Sequence, residues 1–477
     1  MKKIPSNSIK NTFMLSNPLN LVTRRKFLRT AIAIPTALTT GDLGVCAMDG
    51  VFDCVIIGAG VAGLAAAKKL HEAGRRVVVV EARERIGGRV WTETSWPGAP
   101  VELGAQWIHG FKNNPLAKLC SEHNVKMMQT DYNSRTIFGA DGKQWTERKS
   151  GAAEKQFKAL RRDVHRLRKE QRTNRQPDLP FSFIWNEVLK ANKIGPDARH
   201  QLNFEANIEI EHEYAADLQQ LSLYEYDQDE AEHGSDAVLP CGYAQIPALL
   251  ARGLDVRLGE IVRGVKVSAN GVAVVTEHGM FRGRTVLVTI PLGVLQAGAV
   301  KFEPPLPDKK LATIRRLGSG RLDKVCLRFQ QVLWPAKHIL NFAGPRSGEF
   351  AEWINAEVFL HAPVLCAYNA GSVAIQFETK PKNDVVAAAV DCVRTMFGNK
   401  VPAPEASLVT RWGTDPFSLG SYSYLPPGAT AADFDQLAEP VGARLFFAGE
   451  ATSSKQNATV HGAMLSGERE AARLLKL

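Results

Sequence analysis

The sequence predicts an α/β chain, α+β in its overall mix, and three observations carry that prediction. An apolar run, Cys54 to Ile57, leads straight into Gly58-Ala59-Gly60-Val61-Ala62-Gly63 and an alanine-rich helical stretch, after which a second apolar run, Val77 to Val80, stops at Glu81. Leu254 to Thr289 alternates apolar and polar residues with turn signals at Asn270-Gly271 and His278-Gly279, the pattern of a β-meander ending in a buried strand. Near the end, Leu445 to Ala448 reads as a short buried strand and a final helix begins around Thr459. Together these describe a Rossmann-like dinucleotide-binding domain with a meander, interleaved with a mixed α+β domain. At 477 residues and 45% hydrophobic content, the length prior allows about two to four domains.

Thr23-Arg24-Arg25-Lys26-Phe27-Leu28 matches the twin-arginine export pattern, with a mildly apolar Ala31 to Leu38 stretch and a small-residue cleavage site at Val45-Cys46-Ala47. Pro35, Thr39, Thr40 and Asp42 make the region too short and polar to anchor in a bilayer. Residues 1–47 are therefore expected to be a signal peptide that engages the twin-arginine machinery and delivers the protein to the periplasm or outside the cell. Seven Lys or Arg and one Asp lie in that leader, so removing it lowers the net charge from +10 to +4, which does not call for a nucleic acid partner.

The βαβ unit carries the most information. Gly58 permits the tight turn, Gly60 lets a pyrophosphate approach the helix N-terminus, and Gly63 allows the helix to pack closely on the strand. Glu81 stands where a ribose would be hydrogen-bonded. Ala82-Arg83-Glu84-Arg85-Ile86-Gly87-Gly88-Arg89 follows directly, and a second basic loop flexed by glycine suits FAD, with Arg83 and Arg89 as phosphate partners.

Lys143 to Arg175 is rich in Lys and Arg at helical spacing and reads as a solvated helix. From Gln201 to Asp236 there are eleven Asp or Glu and no Lys or Arg, either an acidic mouth for a cationic substrate or a solvated face opposite the basic helix. The chain returns to the dinucleotide-binding domain at Leu239-Pro240-Cys241-Gly242-Tyr243, and from about Lys309 to Leu437 mixed strand and helix signals resume. Lys324 sits mid-strand beside Val325 and Leu327, where a lysine is costly to bury without a purpose. The seven cysteines show no metal-ligand spacing and read mostly as buried free thiols, although an oxidising compartment leaves a disulfide open; no metal is expected.

The chain resembles the flavin-dependent amine oxidase family from about Phe52 to the C-terminus, most closely its polyamine and spermine oxidase branch. Beyond the βαβ unit, the likeness rests on Glu102 through Gly110 (ELGAQWIHG), Val288 through Leu295 with Leu322-Asp323-Lys324-Val325, Gly420 through Tyr424, Phe446 through Glu450, and Ala458 through Ala463. It implies an FAD-binding domain at 50–130, 236–308 and 438–477 and a substrate-binding domain at 131–235 and 309–437. Around the cofactor it places Gly58, Gly60, Gly63, Glu81, Ala82, Arg83, Gly88, Arg89, Val262, Gly449, Glu450, Thr459 and Val460. Lys324 would lie beside flavin N5, holding a water, and His109 would face the amine, with Tyr422 and Gln456 also toward substrate. His461 would be a packing or capping residue. Gly420 stands where monoamine oxidases carry a flavin-bonded cysteine, so the FAD is expected to be held non-covalently. Lys455-Gln456-Asn457 offers no aromatic where relatives frame the substrate with a ring.

The implied reaction passes a hydride from the amine α-carbon to the flavin, leaving an imine that water hydrolyses to an aldehyde, with O2 reduced to H2O2. It needs a neutral amine, which a dry pocket favours by lowering an ammonium pKa. Two alternatives stay open. An L-amino acid oxidase or another flavin dehydrogenase would need a carboxylate clamp, for which Arg321, Arg328 and Arg411 are conceivable; the other is a non-catalytic flavoprotein.

Overall fold

A computed structural model describes residues 50–112, 114–228 and 234–477; the export-signal reading lies outside them. Strand β1 (Phe52–Ile57), helix α1 (Val61–Glu72) and strand β2 (Val77–Val80) form the first unit. Nearly every strand residue is apolar, often β-branched and buried, as a parallel sheet covered on both faces demands. β1 lies between β2 and the long strand Met280–Val288, in register Cys54↔Val77 and Cys54↔Thr285. That long strand does two jobs. Its first half closes the antiparallel meander with Gly271–Thr276 and Val262–Ser268, and its second half runs parallel to β1 on one side and to Leu445–Phe447 on the other. Adding Val256–Arg257 beside β2 and Lys301–Glu303 beside the meander completes eight strands. The C-terminal helix, Val460–Leu474, lies against α1, close enough that a Cβ on Gly467 would sit 2.0 Å from the Ala62 carbonyl oxygen.

A second sheet has six strands in the order Ala406–Val409, Leu322–Arg328, Val364–Ala370, Glu352–Asn355, Ile339–Ala343 and Arg135–Gly139. The strand carrying Lys324 is interior, paired on both sides, so its side chains are committed to the protein and not to a solvent-facing edge.

One expectation from the sequence is overturned here, and two that it left open are decided. The basic helix spans Glu147–Thr173, but it is amphipathic: Ala153, Phe157, Leu160 and Val164 are buried in a core with Phe181 and Trp185. Its high charge density conceals that stripe in the sequence. The acidic segment divides, since Asp227 and Glu225 pair with Arg168 and Arg172 of this helix while Glu205, Glu209 and Glu213 turn to the cavity described below. Cys326 and Cys366 are joined as a disulfide between directly opposed strand positions, whereas Cys54, Cys120 and Cys392 are buried free thiols and Cys241 is exposed.

Candidate active site

One cavity of about 1250 Å³ lies between the two sheets and takes in most of the residues singled out above. Its size exceeds the range of about 300–1,000 Å³ that suits a drug-sized ligand, leaving room for a dinucleotide and a second molecule.

At one end is the glycine turn. Gly58 has φ +106°, and its N–H donates to the Val80 carbonyl at 2.8 Å. A Cβ on Gly63 would stand 2.0 Å from the Gly58 carbonyl oxygen, whereas one on Gly60 would meet no protein atom within 4 Å. The first position is thus closed by the protein and the second is open to a ligand. The Glu81 carboxylate, buried, accepts from Ala59 N at 2.7 Å and Arg83 N at 2.9 Å, tying the acid to the turn. Gly88, at φ +59°, brings the second loop against Gly60, and Ala82 and Val262 also line this end.

The two arginines behave differently from a simple phosphate clamp. Arg83 forms a bidentate pair with Asp415 at 2.9 and 2.8 Å and a bond to Ser418 Oγ at 2.8 Å. Arg89 donates to the Ser421 carbonyl and to Glu450 Oε1, both at 2.9 Å. Both line the cavity, but their strongest partners are carboxylates from distant segments, so they cross-link the wall. Glu450, buried, also accepts from Ser423 Oγ at 2.5 Å and Ala458 N at 3.0 Å. Gly449 donates to Ser466 Oγ at 2.9 Å, and Thr459 caps the C-terminal helix by accepting from Gly462 N at 2.9 Å. The helix N-terminus at Thr459 and Val460 therefore faces the cavity with its positive dipole end.

Lys324 lies midway, 3% exposed, donating to the Glu102 and Gly104 carbonyls at 2.8 Å each and to Gln106 Oε1 at 3.0 Å. Three acceptors match the three ammonium hydrogens, so the lysine holds the 102–106 loop. Burial pushes the Lys324 ammonium well below its usual range, opposed by the Glu102 charge, and burial likewise pushes the Glu102 carboxyl up.

His109 is half exposed, its Nδ1 2.9 Å from Asp236 Oδ2. Burial works against the Asp236 carboxylate, but hydrogen bonds from His109, Gly110 N and Tyr132 outweigh it and hold its pKa below the usual value. His461 is buried, which pushes its imidazole down to about 4 and keeps it neutral. Tyr422 lines the cavity and donates its hydroxyl to the His212 carbonyl. Gln456 does not reach the wall; its side-chain oxygen lies 3.5 Å from Ser453 Oγ inside the 453–459 turn, and Asn457 and Ala458 line the cavity in its stead.

His212, Glu352 and Tyr368 are among the lining residues that the sequence reading did not single out. With Trp107, whose ring is 5.9 Å from that of Tyr368, Tyr368 and Tyr422 supply the aromatic wall that residues 455–457 lack. Beyond them the wall is acidic: Glu154, Glu205, Glu209, Glu213, Glu352 and Asp236 outnumber Arg135, Lys158 and Arg161. Arg321 and Arg411 are engaged with backbone carbonyls, and neither they nor Arg328 line the cavity. Among the described residues no cluster of His, Cys, Asp or Glu is placed to hold a metal, and no helix is long and apolar enough to cross a membrane.

A dinucleotide turn, a helix N-terminus and a cavity bearing a buried lysine define a flavoprotein oxidoreductase site. The chain belongs to the flavin containing amine oxidoreductase family, whose model it matches over residues 61–475, and its cofactor is FAD. It is similar to polyamine oxidase 2 of Arabidopsis thaliana, 34% identical over 425 residues that cover 87% of this chain and 86% of that one. It is equally similar, at 34%, to lysine-specific histone demethylase 1 homolog 3 of the same plant, covering 89% of this chain but 30% of that protein. For the first-ranked histone demethylase relatives the chain spans only about a third to about half of their length. Among solved structures, a putrescine oxidase double mutant shares the fold with a TM-score of 0.73 at 20% identity, covering 89% of this chain and 99% of that one.

Proposed function

We propose that this protein is an FAD-dependent oxidase of polyamines or related amines, with dioxygen as electron acceptor. The observation that carries the reading is the single cavity joining the glycine turn, the buried Lys324 and an acid-rich arm. FAD, when bound, supplies the acceptor for the hydride leaving the carbon beside the amine nitrogen. The chain's own residues do the rest. Gly58, Gly60 and Glu81 hold the adenosine diphosphate end, and the start of the C-terminal helix faces the ring end. Lys324 fixes the 102–106 loop and presents a cation to negative charge that develops there. Trp107, Tyr368 and Tyr422 exclude water, which favours the neutral amine, while the carboxylates raise the local concentration of a polycation. Gly420 offers no side chain for a covalent flavin link, so the cofactor is held non-covalently.

The same reading assigns the first sheet's segments (50–130, 236–308, 438–477) to FAD and the rest of the mature chain to substrate. It also sends the protein through twin-arginine export, on the strength of Arg24-Arg25 and the apolar stretch after them; an Arg24→Lys, Arg25→Lys variant should stay in the cytoplasm on fractionation. Peroxide release from a panel of spermine, spermidine, putrescine, phenethylamine and L-amino acids tests the activity. A methylated lysine peptide is the further arm that the histone demethylase relatives make worthwhile. Polyamines should give the fastest release, and silence from every amine with flavin bound would refute the reading.

A further inference from the structure

We propose that His212, backed by Glu352, receives the substrate nitrogen: it accepts a hydrogen bond from the bound amine and takes the proton that an ammonium must shed before it reacts. This rests on the amine oxidase reading above. The helix Pro196–Ala206 widens into a π-helical turn at Asn207–Glu211, His212 follows, and the chain swings away at Ala215 with φ +51°. Such turns are frequent at functional sites. Here the wider turn brings Ile208, Glu209, His212 and Glu213 together onto the cavity wall.

The His212 side chain is 8% exposed, yet neither Nδ1 nor Nε2 has a hydrogen-bond partner among the described residues. Burying an imidazole without partners is unfavourable unless something else supplies them. Its position is secured from two sides. The Tyr422 hydroxyl donates to its carbonyl, and its ring lies 6.2 Å from that of Tyr368, the residue opposite Lys324. Glu352, the cross-strand partner of Tyr368, places Oε1 3.9 Å from His212 Nδ1, too far for a hydrogen bond but close enough to steady an imidazolium. His109, by contrast, is half exposed and already engaged with Asp236.

In the step proposed, an N–H bond of the substrate ammonium breaks and an N–H bond forms on the imidazole, so the positive charge moves from substrate to His212, facing Glu352. No electrons are exchanged. The other ionisable groups around His212 are Glu209, Glu211 and Glu213 on its own segment and the phenols of Tyr368 and Tyr422, which burial keeps neutral.

The test uses the full-length holoenzyme, His212→Leu and His212→Gln, with spermidine as probe and FAD content as control. Anaerobic flavin reduction by His212→Leu should slow about a hundredfold at neutral pH. The deficit should shrink toward about pH 10, where the amine deprotonates by itself. His212→Gln, which accepts a hydrogen bond but not a proton, should share the rate loss while keeping KM near wild type; it decides the matter if the leucine variant loses FAD. Wild-type reduction by both variants at neutral pH, or a loss that ignores pH, would overturn the proposal while the wild type still oxidises amines. A wild type that no amine reduces would overturn the oxidase reading itself.

Discussion

Lys324 and Tyr368 stand directly opposite each other on adjacent antiparallel strands, and both donate to the same oxygen, Gln106 Oε1. The ammonium also lies 5.1 Å from the centre of the Tyr368 ring. One amide oxygen thus locks the lysine, the aromatic wall and the 102–106 loop into a single unit. Replacing Lys324 by Met should slow flavin reduction or reoxidation on the order of a hundredfold, as loss of a preorganised charge does. Stopped-flow absorbance on the FAD-loaded variant measures it. Tyr368→Phe removes one hydrogen bond and should cost only about 1 kcal/mol of stability.

The two glycines of the turn should respond in opposite ways. Gly63→Ala forces a methyl against the Gly58 carbonyl, 2.0 Å away before relaxation, and should destabilise even the flavin-free protein by about 1–3 kcal/mol. Gly60→Ala meets no protein atom within 4 Å, so the fold should survive while FAD binds more weakly, by about tenfold or about 1.4 kcal/mol. Thermal unfolding without flavin, set beside an FAD titration, separates the two effects.

Glu450 joins Arg89, Ser423 and Ala458 N through two oxygens. Glu450→Ala leaves the largely buried Arg89 guanidinium without its carboxylate and should cost about 3 kcal/mol in chemical denaturation. Glu450→Gln, which keeps an amide oxygen for part of this set, should cost less.

Burial raises the Glu205 carboxyl from 4.5 to about 7, with Arg135 opposing the shift. A carboxyl raised in the folded state favours folding fully below its unfolded pKa of 4.5 and loses that contribution as pH climbs through about 7. Denaturant midpoints should therefore fall between mildly acidic and mildly alkaline buffer. Glu205→Gln, neutral throughout, should flatten that slope, and an unchanged slope would remove Glu205 as its source.

What could be read from the sequence is what lies close together in it. Gly58 to Glu81 sits within one βαβ unit, so spacing alone conveys the turn, the helix and the acid. Lys324 stood out because a lysine among Val325 and Leu327 conflicts with its surroundings. Partners brought together by tertiary pairing left no such mark. Asp415 reaches Arg83 from 332 residues away, and the disulfide joins Cys326 to Cys366 across a strand pair. His212 was hidden for a different reason: a π-helical turn breaks the periodicity by which a helix face is recognised, so Glu209 and His212 read only as part of an acidic run. Gln456 was placed toward substrate by its neighbours in sequence, whereas the turn it belongs to directs its side chain to Ser453.

The central claim is that a polyamine in the acid-lined arm delivers electrons to FAD held by the glycine turn. Anaerobic addition of spermidine to the purified holoenzyme, followed by the visible flavin absorbance, tests it most directly. The absorbance should bleach in a single turnover and return on admitting air, with one peroxide formed per flavin. A holoenzyme that keeps its colour with spermidine and with every other amine of the panel, yet bleaches with dithionite, would contradict the claim.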